Sequence, residues 1–572
     1  MKTRRASLVR IFAAASMLGA VVAASAIAGA APAKRAGPIN GGTVVDALAP
    51  NANIPWYLPL QNGPNYSGYV FALVQLLYQP LLWQNAQHKF DYNLSLAQKV
   101  TYNPQGTVFH IFLNPKWHWS NGQPITSTDL LFSWNVMMAA ESSTVAPWPA
   151  GSQGAGGMPQ NFKSAQATGK YELTLTLKKP ANQQWFIYNA LTVFPVMPAV
   201  WNKYPNNMAE ELAYLGKNAT NPKFDNPVSG PFQLQSAVQN QQWVLVPNTN
   251  YSGQKAHISR FIFQYEASNQ AEFAGLKTGA IQVGYLPAAD WAARAELPDK
   301  MVKQYGFGFG FLWVNMWSDA QNGVNKIFDN LYVRQAMEMG IDQTSICNII
   351  YNAQCQEAYG PLQVSPTTQA FLDPVLRKPL YPFSPANGLK LLESHGWTLQ
   401  NGVLSKGGQT MSFTLQYSSG DLATQEEMEL IQSDWAKEGI KVTLEPVPFA
   451  ALLDTVEAKH NQWEIVGGIT WGYPGYPSGE QLFYKDQGVD FAGWNDPTDN
   501  SLIVATESPA KTPALQRSIY FKYQLYTARE LPMLWSAYPV SDDEIAPNLQ
   551  GVTSLSLLSW TDVAPQYWWL SK

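Results

Sequence analysis

The stretch WSNGQPITSTDLLFSW, residues 119–134, joins a tight turn to the start of a helix. Asn121-Gly122 supplies the bend, because glycine reaches positive φ without a Cβ clash and asparagine tolerates it. Thr126 or Ser127 can cap a helix, and Asp129 lies in its first turn, where the helix dipole favours an acid. The spacing predicts a helix over 126–140. Upstream, 107–113 (TVFHIFL) alternates as a strand. Downstream, 171–177 (YELTLTL) has a period of two and 182–190 reads as helical.

The alternation continues in both directions. A strand begins at 42–45, and 69–82 reads as a buried helix with Val70, Leu73, Val74, Leu77 and Leu81 at helical spacing. Residues 230–234 and 243–246 pair as a hairpin, 258–264 is a strand, and 269–278 is a helix closed by Gly279. Strands then follow at 311–316, 412–417, 440–447 and 464–469. Helices fall at 333–341, 386–395, 424–438, 449–459 and 515–530. Strands separated by helices argue for α/β layers. No repeat of 20–50 residues is present, which argues against a solenoid or propeller.

The composition is unusual in two ways. Of 572 residues only 14% are charged, against about 25% in an ordinary soluble domain, while 21 are tryptophan. A chain this apolar can bury a core, so disorder is excluded. A formal net charge of −4 without a long Lys/Arg run argues against nucleic acid as a partner. Lys2, Arg4, Arg5 and Arg10 precede an apolar, small-residue stretch, 11–29, that ends in Ala28-Gly29-Ala30. This pattern predicts an export signal over 1–30, followed by a linker over 31–41. Thr3-Arg4-Arg5 leaves both general and twin-arginine export open. No cysteine lies near the cleavage site to carry a lipid. Removal of 1–30 takes the formal charge to −8, and no later run of 18 apolar residues exists, so the mature chain is expected to be soluble.

Two cysteines, Cys347 and Cys355, are close enough for a disulfide in an oxidising compartment. Two free thiols and a metal site are the alternatives, but the six histidines are scattered, without metal-ligand spacing, so no metal or other cofactor is expected. No nucleophile elbow, phosphate loop, zincin motif or C-x-x-C occurs, and no catalytic residue is nominated. Residues 306–310 (GFGFG) read as a strand entry, and Asp542-Asp543 as solvated surface. Paired carboxylates of a glycosidase cannot be located by spacing, so a secreted hydrolase stays open as a rival class.

Several segments, in order, carry a resemblance. Besides 119–134 these are 227–232 (PVSGPF), 328–336 (FDNLYVRQA) with Gly340-Ile341-Asp342, 381–397 and 435–444. Together they resemble the extracytoplasmic solute-binding proteins of ABC importers, in particular the peptide/nickel-type family 5, from about residue 42 to 570. The resemblance implies a two-lobed periplasmic-binding-protein type II fold of α/β class with an extra subdomain. Lobe I would comprise 42–310, with the subdomain at about 76–190. Lobe II would be 311–532, and 533–572 would return to lobe I. It further implies a monomer that closes on a small-molecule solute, peptide or oligosaccharide, outside the cytoplasm and delivers it to permease subunits. A sensor or chaperone on the same fold is the rival that fold alone does not separate.

In peptide-binding relatives an aspartate three residues after a tryptophan pairs with the peptide amine. The matching segment here is 471–477 (WGYPGYP), where Pro474 or a neighbouring tyrosine holds the aspartate's place. A buried ammonium without a counter-charge is costly. The segment therefore suggests a neutral or apolar ligand face built from Trp471, Tyr473 and Tyr476. By the same resemblance Trp56, Asn315, Trp494, Trp535 and Tyr538 are candidate ligand contacts.

Overall fold

The turn and helix read at 119–134 are both formed in the computed structural model, which describes residues 39–85, 89–142, 147–224, 227–485, 487–552 and 564–571. The expected export signal and residues 31–38 of the linker lie outside the described residues. Gly122 N–H donates to the Trp119 carbonyl at 2.8 Å, closing the turn. The helix runs Ser127–Ala140. Asp129 Oδ2 accepts the Thr126 N–H at 2.8 Å, and its Oδ1 accepts that of Ala199 at 2.8 Å. One acid thus caps the helix and anchors a segment 70 residues away. Ser120 N–H donates to the Val228 carbonyl at 2.7 Å, so two of the family-like segments hold one another.

Strand β1 (Thr43–Ala47) opens the chain. A four-stranded antiparallel sheet follows, of β2 (Ala97–Tyr102), β3 (Val108–Leu113), β4 (Phe162–Gly169) and β5 (Glu172–Leu177), in the order β2-β3-β5-β4. Next come β6 (Phe232–Val238), β7 (Gln242–Pro247), β8 (Arg260–Gln264), β9 (Val283–Tyr285) and β10 (Lys300–Gln304). The chain then changes sheets and forms β11 (Gly308–Val314), β12 (Ser412–Ser418), β13 (Lys441–Val447), β14 (Ile465–Gly472) and β15 (Leu534–Ser536). Last, β16 (Ser541–Ile545) returns to the first group. The outcome is a seven-stranded sheet, β10-β16-β9-β1-β8-β7-β6, and a five-stranded sheet, β13-β12-β14-β11-β15. Both mix parallel pairs, such as β1 with β8 and β12 with β13, with antiparallel ones. Helices lie between the strands in sequence, as the alternation predicts.

The glycines of 306–310 serve strand contact. Strand β11 is buried along its whole length between β14 and β15. A Cβ on Gly308 would stand 1.6 Å from the Trp471 carbonyl oxygen, and one on Gly310 2.0 Å from that of Ala537, so only glycine allows this approach. Cys347 and Cys355 form a disulfide, with Cα atoms 5.3 Å apart, which settles the alternatives left open by the sequence.

Several acids are buried away from any cation. Glu438 is fully buried and neither carboxyl oxygen has a hydrogen-bond partner among the described residues. Burial, reinforced by Asp434, pushes its pKa up to about 9. Burial likewise raises Glu338, which accepts the Trp535 N–H at 2.9 Å, to about 8. It raises Glu427 and Asp499 to about 7. The native state therefore holds protons that the unfolded chain, with carboxyl pKa near 4, releases. Stability from these groups is complete below that value and is lost as pH rises through 7–9. Within its window each group removes up to about 1.4 kcal/mol per pH unit. We expect the urea midpoint to fall steadily from pH 5 to pH 9, and Glu438→Gln to flatten the decline between pH 7 and 9. A midpoint that rises across this range would contradict the assignment.

Candidate functional site

The chain passes between the two larger sheets twice, and the passages lie side by side. Strand β10 pairs antiparallel with β16 in the seven-stranded sheet, with Gln304 opposite Ser541. Just beyond, β11 pairs antiparallel with β15 in the five-stranded sheet, with Gly310 opposite Ser536. Only 305–307 and 537–540 lie between. Within the second passage Tyr538–Pro539 pairs with Cys355–Gln356, the end of the disulfide loop.

A cavity of about 520 Å³ lies against these passages, within the range of about 300–1,000 Å³ usual for ligand sites. Tyr538, Pro539, Val540 and Asp542 of the returning passage form one wall. The five-stranded sheet supplies Phe311 and Trp313 from β11 and Gly468 to Gly472 from β14. The N-terminal part of the chain brings Tyr66, Tyr69 and Phe71, with Tyr285 from β9. Tyr66 stacks on Trp471, with ring centroids 6.5 Å apart at 29°. Tyr69 meets Phe449 edge-on at 6.2 Å. Burial pushes the Tyr69 hydroxyl up to about 12, so it remains a neutral hydrogen-bonding group.

Two carboxylates face this aromatic space. Asp421 precedes the helix Leu422–Lys437. Its Oδ2 accepts the Thr424 N–H at 2.8 Å and the Thr424 hydroxyl at 2.6 Å, and its Oδ1 accepts from Asn269 Nδ2 at 3.2 Å. Asp542 is 3% exposed, and its Oδ1 has no hydrogen-bond partner among the described residues. Burial pushes its carboxyl upward, and Lys303, 4.0 Å away, pulls in the opposite direction. Asp542-Asp543 is thus not the solvated surface expected from the sequence. The pair stands in β16, covered by β10 and β9, with Lys303 directly opposite Asp542. Nor is the cavity face free of carboxylates: the Pro474 carbonyl accepts from Gln84 Nε2, and acids enter the cavity from other segments.

Of the candidate contacts, Trp471 and Tyr538 line the cavity together. The other six stand away from it. Trp56 donates its indole N–H to the Leu60 carbonyl at 2.7 Å and meets Trp148 edge-on. Asn315 is fully buried and donates to the carbonyls of His460 and Trp463 at 2.7 and 2.9 Å. Tyr473 donates to the Pro361 carbonyl at 2.9 Å. The Tyr476 hydroxyl accepts from Asn182 Nδ2 at 3.1 Å. Trp494 donates to Asp499 Oδ2 at 3.1 Å, beneath the Arg334 guanidinium. Trp535 packs edge-on against Phe309 and Phe483. Asp421 was missed, although an aspartate immediately before an amphipathic helix is a legible N-cap signal.

The family described as "Bacterial extracellular solute-binding proteins, family 5 Middle" matches residues 91–490. The oligopeptide-binding protein AppA of Bacillus subtilis is 22% identical over 494 residues, 85% of this chain and 84% of the relative. The structure of B. subtilis AppA in complex with a nonapeptide superposes with a TM-score of 0.80 at 20% identity, over 94% of this chain and 100% of that one. Lactococcal OppA, complexed with an endogenous peptide in the closed conformation, gives 0.77 at 18% identity, over 92% and 99%. The fold is therefore that of the two-lobed periplasmic binding proteins. Among the described residues no helix is long and apolar enough to cross a membrane.

Asp421 has a capping role separable from any role in the cavity. Asp421→Ala should destabilise the protein by about 1 kcal/mol, and Asp421→Asn by far less, because asparagine caps equally well. Equal losses in a denaturant titration would show that the cap is not what Asp421 contributes.

Proposed function

The chain belongs to family 5 of the bacterial extracellular solute-binding proteins, and from that premise we propose that it is the receptor of an ABC importer, capturing a peptide or similar oligomeric solute and presenting it to the permease subunits. The observation that carries this reading is the position of the aromatic cavity against the two chain passages. A small rotation about 305–307 and 537–540 would separate the two larger sheets and open the cavity to solvent. A solute that touches both sides binds best when they are together, so its binding shifts the population toward the closed form, which the permease reads.

In this reading the lobes are built on the seven-stranded and five-stranded sheets. Trp471 and Tyr538 are ligand contacts, the first offering a ring face and an indole N–H. Cross-contacts hold the closed form. Asn189 Nδ2 donates to the Tyr476 carbonyl at 3.0 Å, and Asn51 Nδ2 to that of Ser419 at 3.0 Å. The mature protein works as an exported monomer and has no turnover of its own. Peptide is the first choice of solute because the relatives just named are peptide binders. The stacked Tyr66 and Trp471 rings would also suit the flat face of a neutral oligosaccharide, the second choice.

A thermal-shift screen decides between them. A solute at 100 times its dissociation constant should add about 2.7 kcal/mol of stability. Di-, tri- and oligopeptides should raise the melting temperature, cello- and xylo-oligosaccharides should not, and Trp471→Ala should abolish the shift. A shift from the sugars alone would replace the peptide by the oligosaccharide, and full binding by Trp471→Ala would remove that residue from the site.

A further inference from the structure

Taking the cavity as the solute site, as proposed above, we infer that it selects solutes carrying positive charge and rejects those that place a free carboxylate inside it. The only charged side chains lining it are Asp421 and Asp542; no lysine, arginine or histidine does so among the described residues. Every hydrogen bond that Asp421 receives comes from a neutral donor, Thr424 or Asn269, so the protein leaves its charge without a counter-ion. Asp542 is buried, and its Oδ1 accepts no hydrogen bond among the described residues, with Lys303 Nζ 4.0 Å from it.

Further acids stand behind the wall, pushed toward their neutral form by burial. Glu272 accepts the Tyr285 N–H at 2.9 Å. Glu427 accepts from the Tyr351 hydroxyl at 3.0 Å and from Ser536. Asp543 accepts from Ser541 Oγ at 2.7 Å and from Gln304, and Asp46 lies close enough to feel its charge. Two cations are near. Lys303 sits outside Asp542 with its side chain 38% exposed, engaged by Gln354 Oε1 and placed over the Trp291 ring. Arg294 is paired with Glu544 at 2.5 Å. Neither lines the cavity.

The physics then has one sign. In a space lined by rings, an entering anion gives up part of its hydration and finds two carboxylates and no partner. An ammonium or guanidinium finds a counter-charge, and the faces of Trp471, Tyr66 and Phe449 add cation–π attraction. The arrangement fits a solute with apolar or aromatic groups for the walls and an amine or guanidine for Asp421 and Asp542. The sequence pointed elsewhere, to a neutral face, because it registered only the acid missing at 474.

The test is calorimetric titration of the full mature chain with two ligand series. The first is Phe-Lys-Phe, Phe-Gln-Phe and Phe-Glu-Phe, all with amidated C-termini. The second is tyramine against 4-hydroxyphenylacetate. We expect affinity to fall from lysine to glutamine to glutamate, by at least tenfold overall, and tyramine to bind more tightly than the acid. Asp421→Asn, which keeps the helix cap, and Asp542→Asn should each shrink the lysine preference several-fold, and Asp421→Asn should leave the melting curve of the free protein in place. Equal or tighter binding of the acidic members, or no binding by any cationic member, overturns the inference. If the peptide series is silent and tyramine binds, the charge inference stands and the peptide reading falls. If all three peptides bind alike, the peptide reading stands and the charge inference falls.

Discussion

The two antiparallel passages between the sheets constrain everything else in the molecule. Because β10 pairs with β16 and β11 with β15, the entering and returning chains are locked in register on both sides of a gap of three or four residues. The strand pairs fix where the sheets can turn relative to one another, at 305–307 and 537–540, and in the second of these Tyr538–Pro539 pairs only with the short strand Cys355–Gln356. The cavity lies against this gap, so residues of the passage, Tyr538 to Val540 and Asp542, serve both as connection and as wall. Gly308 and Gly310 extend the constraint into the sheet, because β14 and the returning chain approach them too closely for any Cβ.

Low charge and many tryptophans follow from two different needs. Most of the indoles are core: Trp134, Trp243, Trp435, Trp463 and Trp568 are fully buried in the packing of sheets and helices. Among the described tryptophans only Trp313 and Trp471 line the cavity. The acids divide likewise. Glu438 and Glu338 sit inside without cations and are held near neutral by burial, whereas Asp421 and Asp542 open onto the cavity. Scarcity of charge on the chain as a whole therefore conceals a concentration of negative charge at one place.

Local features were legible from the sequence wherever a cap or a clean period stated them. The Thr126–Asp129 box, the helix Asn269–Thr278 closed by Gly279 at φ +72°, and the alternation of Glu172–Leu177 are formed as read. Strands β9, β10 and β16 were not found, because β9 has only three residues and β10 and β16 are short and rich in charge. Lys303 stands opposite Asp542 across β10 and β16, and such cross-strand pairing stabilises a polar strand that no hydrophobic period announces. The site was half legible for the same reason. Trp471 is marked by its segment, but Asp421, Tyr285 and Asp542 come from three distant parts of the chain and meet only because of how the passages are joined. Trp535 and Tyr473 resemble site residues in sequence, yet the flanking Phe309 and Phe483 draw one into the core and the Pro361 carbonyl fixes the other.

The most direct measurement is a distance distribution by pulsed electron resonance. Spin labels would stand at exposed Gln166 on β4 and at exposed Lys511, beyond the five-stranded sheet, with the native disulfide intact. Protein stripped of solute by denaturation and refolding should show a longer distance, or a mixture. Saturation with the tightest-binding peptide amide should collapse it to the single shorter distance of the closed form. One unchanged distribution in both states would contradict closure about the two passages.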